Sequence, residues 1–226
     1  PLTDPLHFVP DANWFESAAQ SLAEALVMGA SDALGIEDDE LEGGFRTRSA
    51  DLIDDDRANG LVEVFLFDTT PGGAGFSAKV YDEFDTVIAT ASQILTECGC
   101  ESACHECLRR YDNRHLHGML NRYLGGTLLE YAKDGAIPTL EPDRTDSLID
   151  RLRQSLRLQD LDIELTSVSG QHNRWTVSNG NESLTFGARS CLRVSQSDPD
   201  MAFDVSDYEL ANELPEIATR ISEELS

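Results

Sequence analysis

The sequence predicts an α+β chain, a mainly helical module followed by a small α+β unit with a β-hairpin. Three observations carry that expectation. Apolar residues recur at helical spacing through much of the first half. Short alternating runs mark part of the second half. Asn179-Gly180, the strongest short hairpin signal, lies between two of those runs. A length of 226 residues suits one large domain or two small ones.

The elements follow in order. A first helix is expected from about Asn13 to Leu34, with Leu22, Ala25, Leu26 and Ala30 in phase and Asn13 as its cap. Ile36–Glu40 and Asp54–Asp56 read as solvated acidic loops. Leu61–Phe67 is a mostly apolar run rich in Val and Phe, suited to a buried strand. Pro71-Gly72-Gly73-Ala74-Gly75 demands a tight turn. Val80, Phe84, Val87, Ile88, Ala91, Ile94 and Leu95 keep one face over about four turns, predicting one helix. A third helix is expected from about Asn113 to Tyr131, with Asn113 capping it. Gly135, Pro138 and Pro142 mark a boundary between a module over residues 1–137 and a unit over residues 143–226. In the latter, Leu148, Leu152 and Leu156 predict a short helix. Leu161, Ile163 and Leu165 alternate as a strand does, as do Trp175 with Val177 and Leu184 with Phe186. Leu210, Leu214, Ile217 and Ile221 form one stripe of a last helix.

Charge narrows the function. Lys and Arg number 17 against 42 Asp and Glu, a net charge of −25. Phosphates are repelled over most of such a surface, which excludes a general nucleic-acid coat. Lys79 and Lys133 are the only lysines, a balance expected of a halophilic cytoplasm where salt screens self-repulsion, with an ordinary acidic protein as the alternative. No apolar run is long enough for a membrane span and no signal peptide opens the chain, so a cytoplasmic location is expected. The first residue is Pro1 rather than Met, so a fragment of something longer is expected.

Cys98, Cys100, Cys104 and Cys107 fall within ten residues as C-x-C-x3-C-x2-C. With no sign of secretion, disulfides explain the cluster poorly. Four thiolates this close can surround one tetrahedral ion, and soft sulfur donors select zinc, with iron–sulfur as the alternative. No open ligand position is implied, so structural Zn2+ is expected. Cys104-His105-Glu106-Cys107 also satisfies a redox C-x-x-C, but the two upstream cysteines argue against it. A zinc deaminase would need an upstream H-x-E or C-x-E and a proline before the cysteine pair, and neither is present. His105, His115 and His117 are substitute ligands that a four-cysteine set does not require, and Cys191 reads as a small core residue.

Leu66–Phe76, reading L-F-D-T-T-P-G-G-A-G-F, and the cysteine cluster together resemble the MrfA-type zinc-binding domain, or MZB domain. That family occurs at the C-terminus of some DEAD/DEAH-box helicases and in helicase-associated phage-defence proteins. Its pattern joins the glycine turn to an amphipathic helix and then to C-x-C-x3-C-x2-C-L. Here Cys107-Leu108 is followed by Tyr111, Asn113 and His117 in a Y-x-N-x3-H arrangement, and Thr3-Asp4 matches a pair common near the start. The resemblance covers roughly residues 2–131. It implies that the four cysteines hold zinc and that the module serves a DNA-remodelling machine in DNA repair or phage defence, with helicase motor domains as partners in cis or in trans.

No G-x4-G-K-S/T loop exists in the chain, so it is not expected to be an enzyme by itself. Any ATPase or helicase activity would lie in missing sequence or a partner. Gly73-x-Gly75-x-x-Ala78 satisfies a dinucleotide pattern, against the simpler reading of a close strand-to-helix turn. The one locally basic stretch holds Arg109, Arg110, Arg114 and Arg122 with Tyr111 and Tyr123 interleaved. These arginines are candidate DNA contacts through phosphate, with pairing to the acidic surface as the competing reading. The leading expectation is an accessory zinc-binding module of a helicase-type protein with DNA contact. The alternatives are a scaffold that binds a helicase partner without touching DNA and, more distantly, a catalytic domain.

Overall fold

A computed structural model describes residues 13–48, 61–158, 163–193, 195 and 198–225. The Thr3-Asp4 pair, the Asp54–Asp56 run and Leu161 lie outside the described residues. Seven helices and two small sheets occur among those residues, a mixed α+β fold. They divide into two compact units, residues 1–136 and 137–226. No helix among them is long and apolar enough to cross a membrane.

The first unit is built around α1 (Asn13–Leu34). Ala19, Ala23, Ala25 and Ala30 are fully buried, so neighbouring backbones approach closely. A Cβ on Gly29 would lie 2.8 Å from the Val87 carbonyl oxygen. One on Gly125 would lie 3.0 Å from Ser21 Cβ. These glycines set the crossings of α1 with α3 (Phe84–Glu97) and α4 (Arg122–Asp134). An antiparallel ribbon, β1 (Leu41–Arg48) on β2 (Leu61–Asp68), covers another side of α1. The expected Leu61–Phe67 strand is present, one residue longer, but it is not a buried strand: residues 62–68 are half-buried or exposed, with Phe65 and Phe67 exposed, because a two-stranded ribbon leaves one face uncovered. The sequence reading missed β1 because Glu42-Gly43-Gly44 lacks the branched residues that favour strands. Tertiary contact explains the glycines: a Cβ on Gly43 would stand 2.8 Å from Val27 Cγ2.

Two helix expectations in this unit need correction. The single helix spanning Val80 to Leu95 is α2 (Phe76–Asp82) and α3, separated at Glu83. Val80 and Val87 still enter one core with Val27, Ala30 and Leu41, so the apolar pattern does not reveal the break. The helix expected from Asn113 begins nine residues later, at Arg122. A short 3₁₀ turn, Arg114–Leu116, comes first, and the cap of α4 is Asn121, whose side chain accepts from the amides of Tyr123 and Leu124.

In the second unit, α5 (Pro142–Leu158) is longer than expected. Then come β3 (Glu164–Ser167), β4 (Arg174–Ser178), β5 (Ser183–Arg189) and β6 (Phe203–Ser206), ordered β3-β4-β5-β6. The first three are antiparallel and β6 runs parallel to β5. The Asn179-Gly180 hairpin forms with a four-residue loop, because Asn179 Oδ1 accepts from the amides of Asn181 and Glu182 at 3.0 and 2.8 Å. Trp175, Phe186 and Phe203 stack across β4, β5 and β6 at 5.7 and 5.6 Å. They meet Leu152 and Leu156 of α5, Leu210 of α6 (Asp207–Asn212) and Ile217 and Ile221 of α7 (Leu214–Glu224). The single last helix is therefore two, with Pro215 in the first turn of the second. All these helices cover one face of the sheet.

Candidate metal centre

The cysteines sit where α3 runs out. Cys98 takes an extended conformation as its C-cap, φ −73° and ψ 133°, and turns the chain out of the helix. The backbone then curls so that the amides of Cys107 and Arg109 donate to the Cys104 carbonyl at 3.2 and 2.9 Å. The four Sγ atoms lie within 4.8 Å of one another. Cys98–Cys104, Cys100–Cys107 and Cys104–Cys107 are separated by 3.5, 3.7 and 3.8 Å. A tetrahedral ion with metal–sulfur bonds of about 2.3 Å requires sulfur–sulfur edges of about 3.8 Å, so the donor set fits zinc.

Local electrostatics agree. The Cys104 amide donates to Cys107 Sγ at 3.2 Å, and the Glu106 amide to Cys104 Sγ at 3.4 Å. Such N–H groups favour thiolate. The Cys100 amide holds the Cys98 thiol below its ordinary range, with help from Cys104. Burial pushes the Cys100 thiol up to about 12, reinforced by the neighbouring thiols, and burial also raises Cys107. A divalent cation reverses that balance, because its charge favours the thiolates together. With all four donors supplied by the protein, the centre is structural.

The arginines divide by direction. Arg122 is buried and clamps the knuckle to α3, donating to the Cys100 carbonyl at 2.8 Å and the Leu95 carbonyl at 3.0 Å. The latter is one of the free carbonyls at the C-terminus of α3, so Arg122 also caps that helix. Its guanidinium lies 3.9 Å from the Tyr123 ring centroid. Arg110 also turns inward, pairing with Glu24 at 2.8 Å and donating to the Asp38 carbonyl at 2.7 Å. These two follow the competing reading of internal pairing. Arg109 is half-buried, with one contact to the His117 carbonyl at 3.5 Å. Arg114 is exposed and lies 4.7 Å from the ring centroid of Tyr111, itself 77% exposed.

Asn113 does not cap a helix by its side chain. It is buried, donating to Glu24 Oε2 at 2.7 Å and to the Leu108 carbonyl at 2.8 Å. Its Oδ1 accepts from the Arg110 amide at 2.7 Å and faces His117 Nε2 at 3.0 Å. Nε2 also faces the Arg110 carbonyl at 2.9 Å, and two acceptors require the proton on Nε2. His117 supports the loop rather than the metal, and packs edge-on against His105. The residue that sequence reasoning missed is Glu24, buried on α1 with Gln20 as a further donor at 3.1 Å. A signal existed: Ser17, Ser21, Glu24 and Ser31 form a polar stripe at helical spacing, and all are buried. Ser21 Oγ accepts from the Asn121 amide at 2.7 Å, and Ser17 Oγ donates to the Met119 carbonyl.

The glycine turn has a structural explanation too. Gly72, Gly73 and Gly75 take φ of 92°, 75° and 84°. Asp68 Oδ1 accepts from the Phe76 and Ser77 amides at 2.8 and 3.2 Å, and Oδ2 accepts from Ser77 Oγ at 2.7 Å. The Ser77 hydroxyl and these amides hold the Asp68 carboxyl below its usual range. The protein's own carboxylate therefore occupies the start of α2 where a dinucleotide phosphate would sit, which removes that reading. Cys191 is buried as expected, its amide donating to Asp207 at 2.8 Å.

Comparison with known proteins accords with this geometry. The MrfA Zn-binding domain family, MZB, matches residues 22–108, from within α1 to just past Cys107. The match takes in the glycine turn, α3 and all four cysteines. The chain is similar to the Druantia protein DruE of Escherichia coli (strain UMEA 4076-1), 33% identical over 145 residues. That similarity covers 64% of this chain and 8% of DruE. It is also similar to the uncharacterized ATP-dependent helicase YprA of Bacillus subtilis (strain 168), 37% identical over 49 residues, 22% of this chain and 6% of YprA. The chain thus matches less than a tenth of either relative's length. A crystal structure of the DUF1998 helicase MrfA bound to DNA aligns with 56% of this chain and 15% of its own, at 17% identity and a TM-score of 0.40. Residues 22–108 are thus similar to a zinc-binding domain family, and the four cysteines are close enough to hold one ion.

Proposed function

We propose that the chain is an accessory module of a DNA helicase-type protein, in which zinc fixes the end of α3 and the following loop as a rigid platform. The observation that carries this is the closed four-sulfur donor set at the base of a loop tied to α1 by Glu24 and Asn113. Zinc binding then counts as folding energy, on the order of 10 kcal/mol for structural sites. ATP hydrolysis belongs to motor domains in cis or in trans, and the module itself is no enzyme. DNA repair and phage defence are the settings that the family resemblance implies.

Arg114 stacked on exposed Tyr111, together with half-buried Arg109, is the DNA-facing edge of the platform in this reading. The stack presents a guanidinium to phosphate and a ring face to a base. Fluorescence anisotropy with single- and double-stranded oligonucleotides tests this. Arg114→Ala and Arg109→Ala are expected to weaken binding several-fold each, and unchanged affinity in both would remove DNA from the reading. A second reading, a scaffold that binds its helicase partner without DNA, is favoured by exposed Phe65, Phe67 and Phe84. It predicts that Phe67→Glu abolishes co-purification with the motor domains while Arg114→Ala does not.

A further inference from the structure

The unit outside the MZB match carries a cleft of about 580 Å³ on the sheet face opposite the helices. Its position follows from register. Arg174, Gly187 and Asp204 are paired across β4, β5 and β6, and all lie out of phase with the inward Trp175, Phe186 and Phe203. The volume lies within the range of small-molecule pockets, roughly 300–1,000 Å³.

The lining is unusual for this chain. Against a net charge of −25, the cleft gathers Arg174, Arg189, Arg193 and His172 around Asp198 and Asp204. The two aspartates orient two of the arginines. Arg174 pairs with Asp198 at 2.6 Å, and Arg189 with Asp204 at 3.1 Å while donating to the Arg193 carbonyl at 2.6 Å. The Asp200 amide and the Arg174 guanidinium hold the Asp198 carboxyl low, so this pair stays charged. Arg193 and His172 are exposed and have no side-chain partner among the described residues. The cleft therefore offers one guanidinium and one imidazole with no side-chain partner among the described residues, beside Arg174 paired with Asp198 and Arg189 held between Asp204 and, at 3.7 Å, Glu209.

Backbone geometry also marks the place. Asn173 is the one non-glycine residue with positive φ, 59°, among the described residues. Its carbonyl accepts from the Ala188 amide at 2.8 Å, which locks the entry of β4 beside β5. Asparagine takes this left-handed conformation more readily than other non-glycine residues, so the turn is fixed without unusual strain. A Cβ on Gly187 would lie 2.6 Å from Met201 Sδ, so glycine there lets the Met201 thioether lie across the sheet as an apolar wall.

We propose that this cleft binds a phosphate-bearing ligand, the phosphate held by Arg193 and His172 and the adjoining organic part resting on Met201. The source is a nucleic-acid strand or a free nucleotide phosphate, which share this chemistry. The inference goes beyond the accessory-module reading and is independent of Arg114 and the zinc.

Anisotropy of a labelled oligothymidylate with the full 226-residue chain tests it, at the lowest KCl concentration that preserves the circular-dichroism spectrum. Reversing one phosphate-contacting charge is expected to weaken binding about tenfold in Arg193→Glu. Arg193→Lys should recover most of the loss, and both variants should fold because the side chain is exposed. The tenfold ratio should persist in an Arg114→Ala background, which separates this cleft from the platform near the zinc. If the oligonucleotide does not distinguish Arg193→Glu but inorganic pyrophosphate raises the melting temperature of wild type and not of that variant, the source is a free phosphate. If neither ligand distinguishes the variant from wild type, the proposal is overturned.

Discussion

Replacing Glu24 by Ala isolates the link between α1 and the loop that follows the zinc site. The carboxylate is 3% exposed and accepts from Arg110 at 2.8 Å, Asn113 at 2.7 Å and Gln20 at 3.1 Å. Its removal leaves the Arg110 guanidinium, with a side chain only 12% exposed, without a counter-charge. Breaking a buried pair from one side costs about 3–5 kcal/mol. Arg110 keeps the Asp38 carbonyl and Asn113 keeps the Leu108 carbonyl, so the low end applies, about 3 kcal/mol. At about 3 °C per kcal/mol, the melting temperature of the zinc-loaded first unit should fall by roughly 10 °C. Trp14 and Trp175, the two tryptophans, lie in different units, so Trp175→Phe leaves a fluorescence signal for the first unit alone during urea unfolding. Glu24→Leu with Arg110→Met should recover most of the loss, since no charge is then stranded. A shift below about 0.5 kcal/mol for Glu24→Ala, or additive losses in the Glu24→Ala, Arg110→Ala double variant, would refute the reasoning.

Mass spectrometry of the purified chain should find one zinc, and chelation should unfold the Trp14 signal while the Trp175 signal persists; a metal-free chain with reactive thiols at Cys104 would contradict the metal centre. Gly29→Ala forces a methyl against the Val87 carbonyl and should destabilise the first unit by about 1–3 kcal/mol in the same urea assay. Glu213 has its carboxyl raised above the ordinary range by burial, with Glu209 and Glu216 adding to the effect. A raised folded-state value means that the favourable contribution is complete below about pH 4.5 and is lost as pH rises. Glu213→Gln should therefore stabilise the second unit at pH 7 and not at pH 4, and an equal effect at both would exclude titration as the cause. With a net charge of −25, melting temperature should climb between low and molar KCl, and indifference to salt would count against a halophilic origin.

The site was largely legible because spacing in sequence is spacing in space within ten residues. Cys98 to Cys107 need only one turn of chain to converge, so their pattern speaks for their geometry. Helices were legible where an apolar stripe faced one partner, as in α1 and the Leu148-Leu152-Leu156 row of α5. The misses share a cause. β1 is held by close approach to α1, where glycine serves and strand propensity is absent. Asn113 and Asn121 look alike as helix caps, and only the long-range partner Glu24 distinguishes them. The basic stretch read as one unit, but Arg110 and Arg122 answer carbonyls and a carboxylate distant in sequence, information that a local charge count does not hold.

The Glu24–Arg110 pair spans 86 residues of chain, and that distance has a temporal meaning during synthesis. α1 leaves the ribosome with its polar stripe formed and the stripe's partners not yet made. The segment with Arg110 and Asn113 follows Cys107, the last of the four clustered cysteines, so the metal can be captured before the stripe is covered. Zinc capture would then shorten the loop that α1 must close, making the ion an ordering element in time as well as in space.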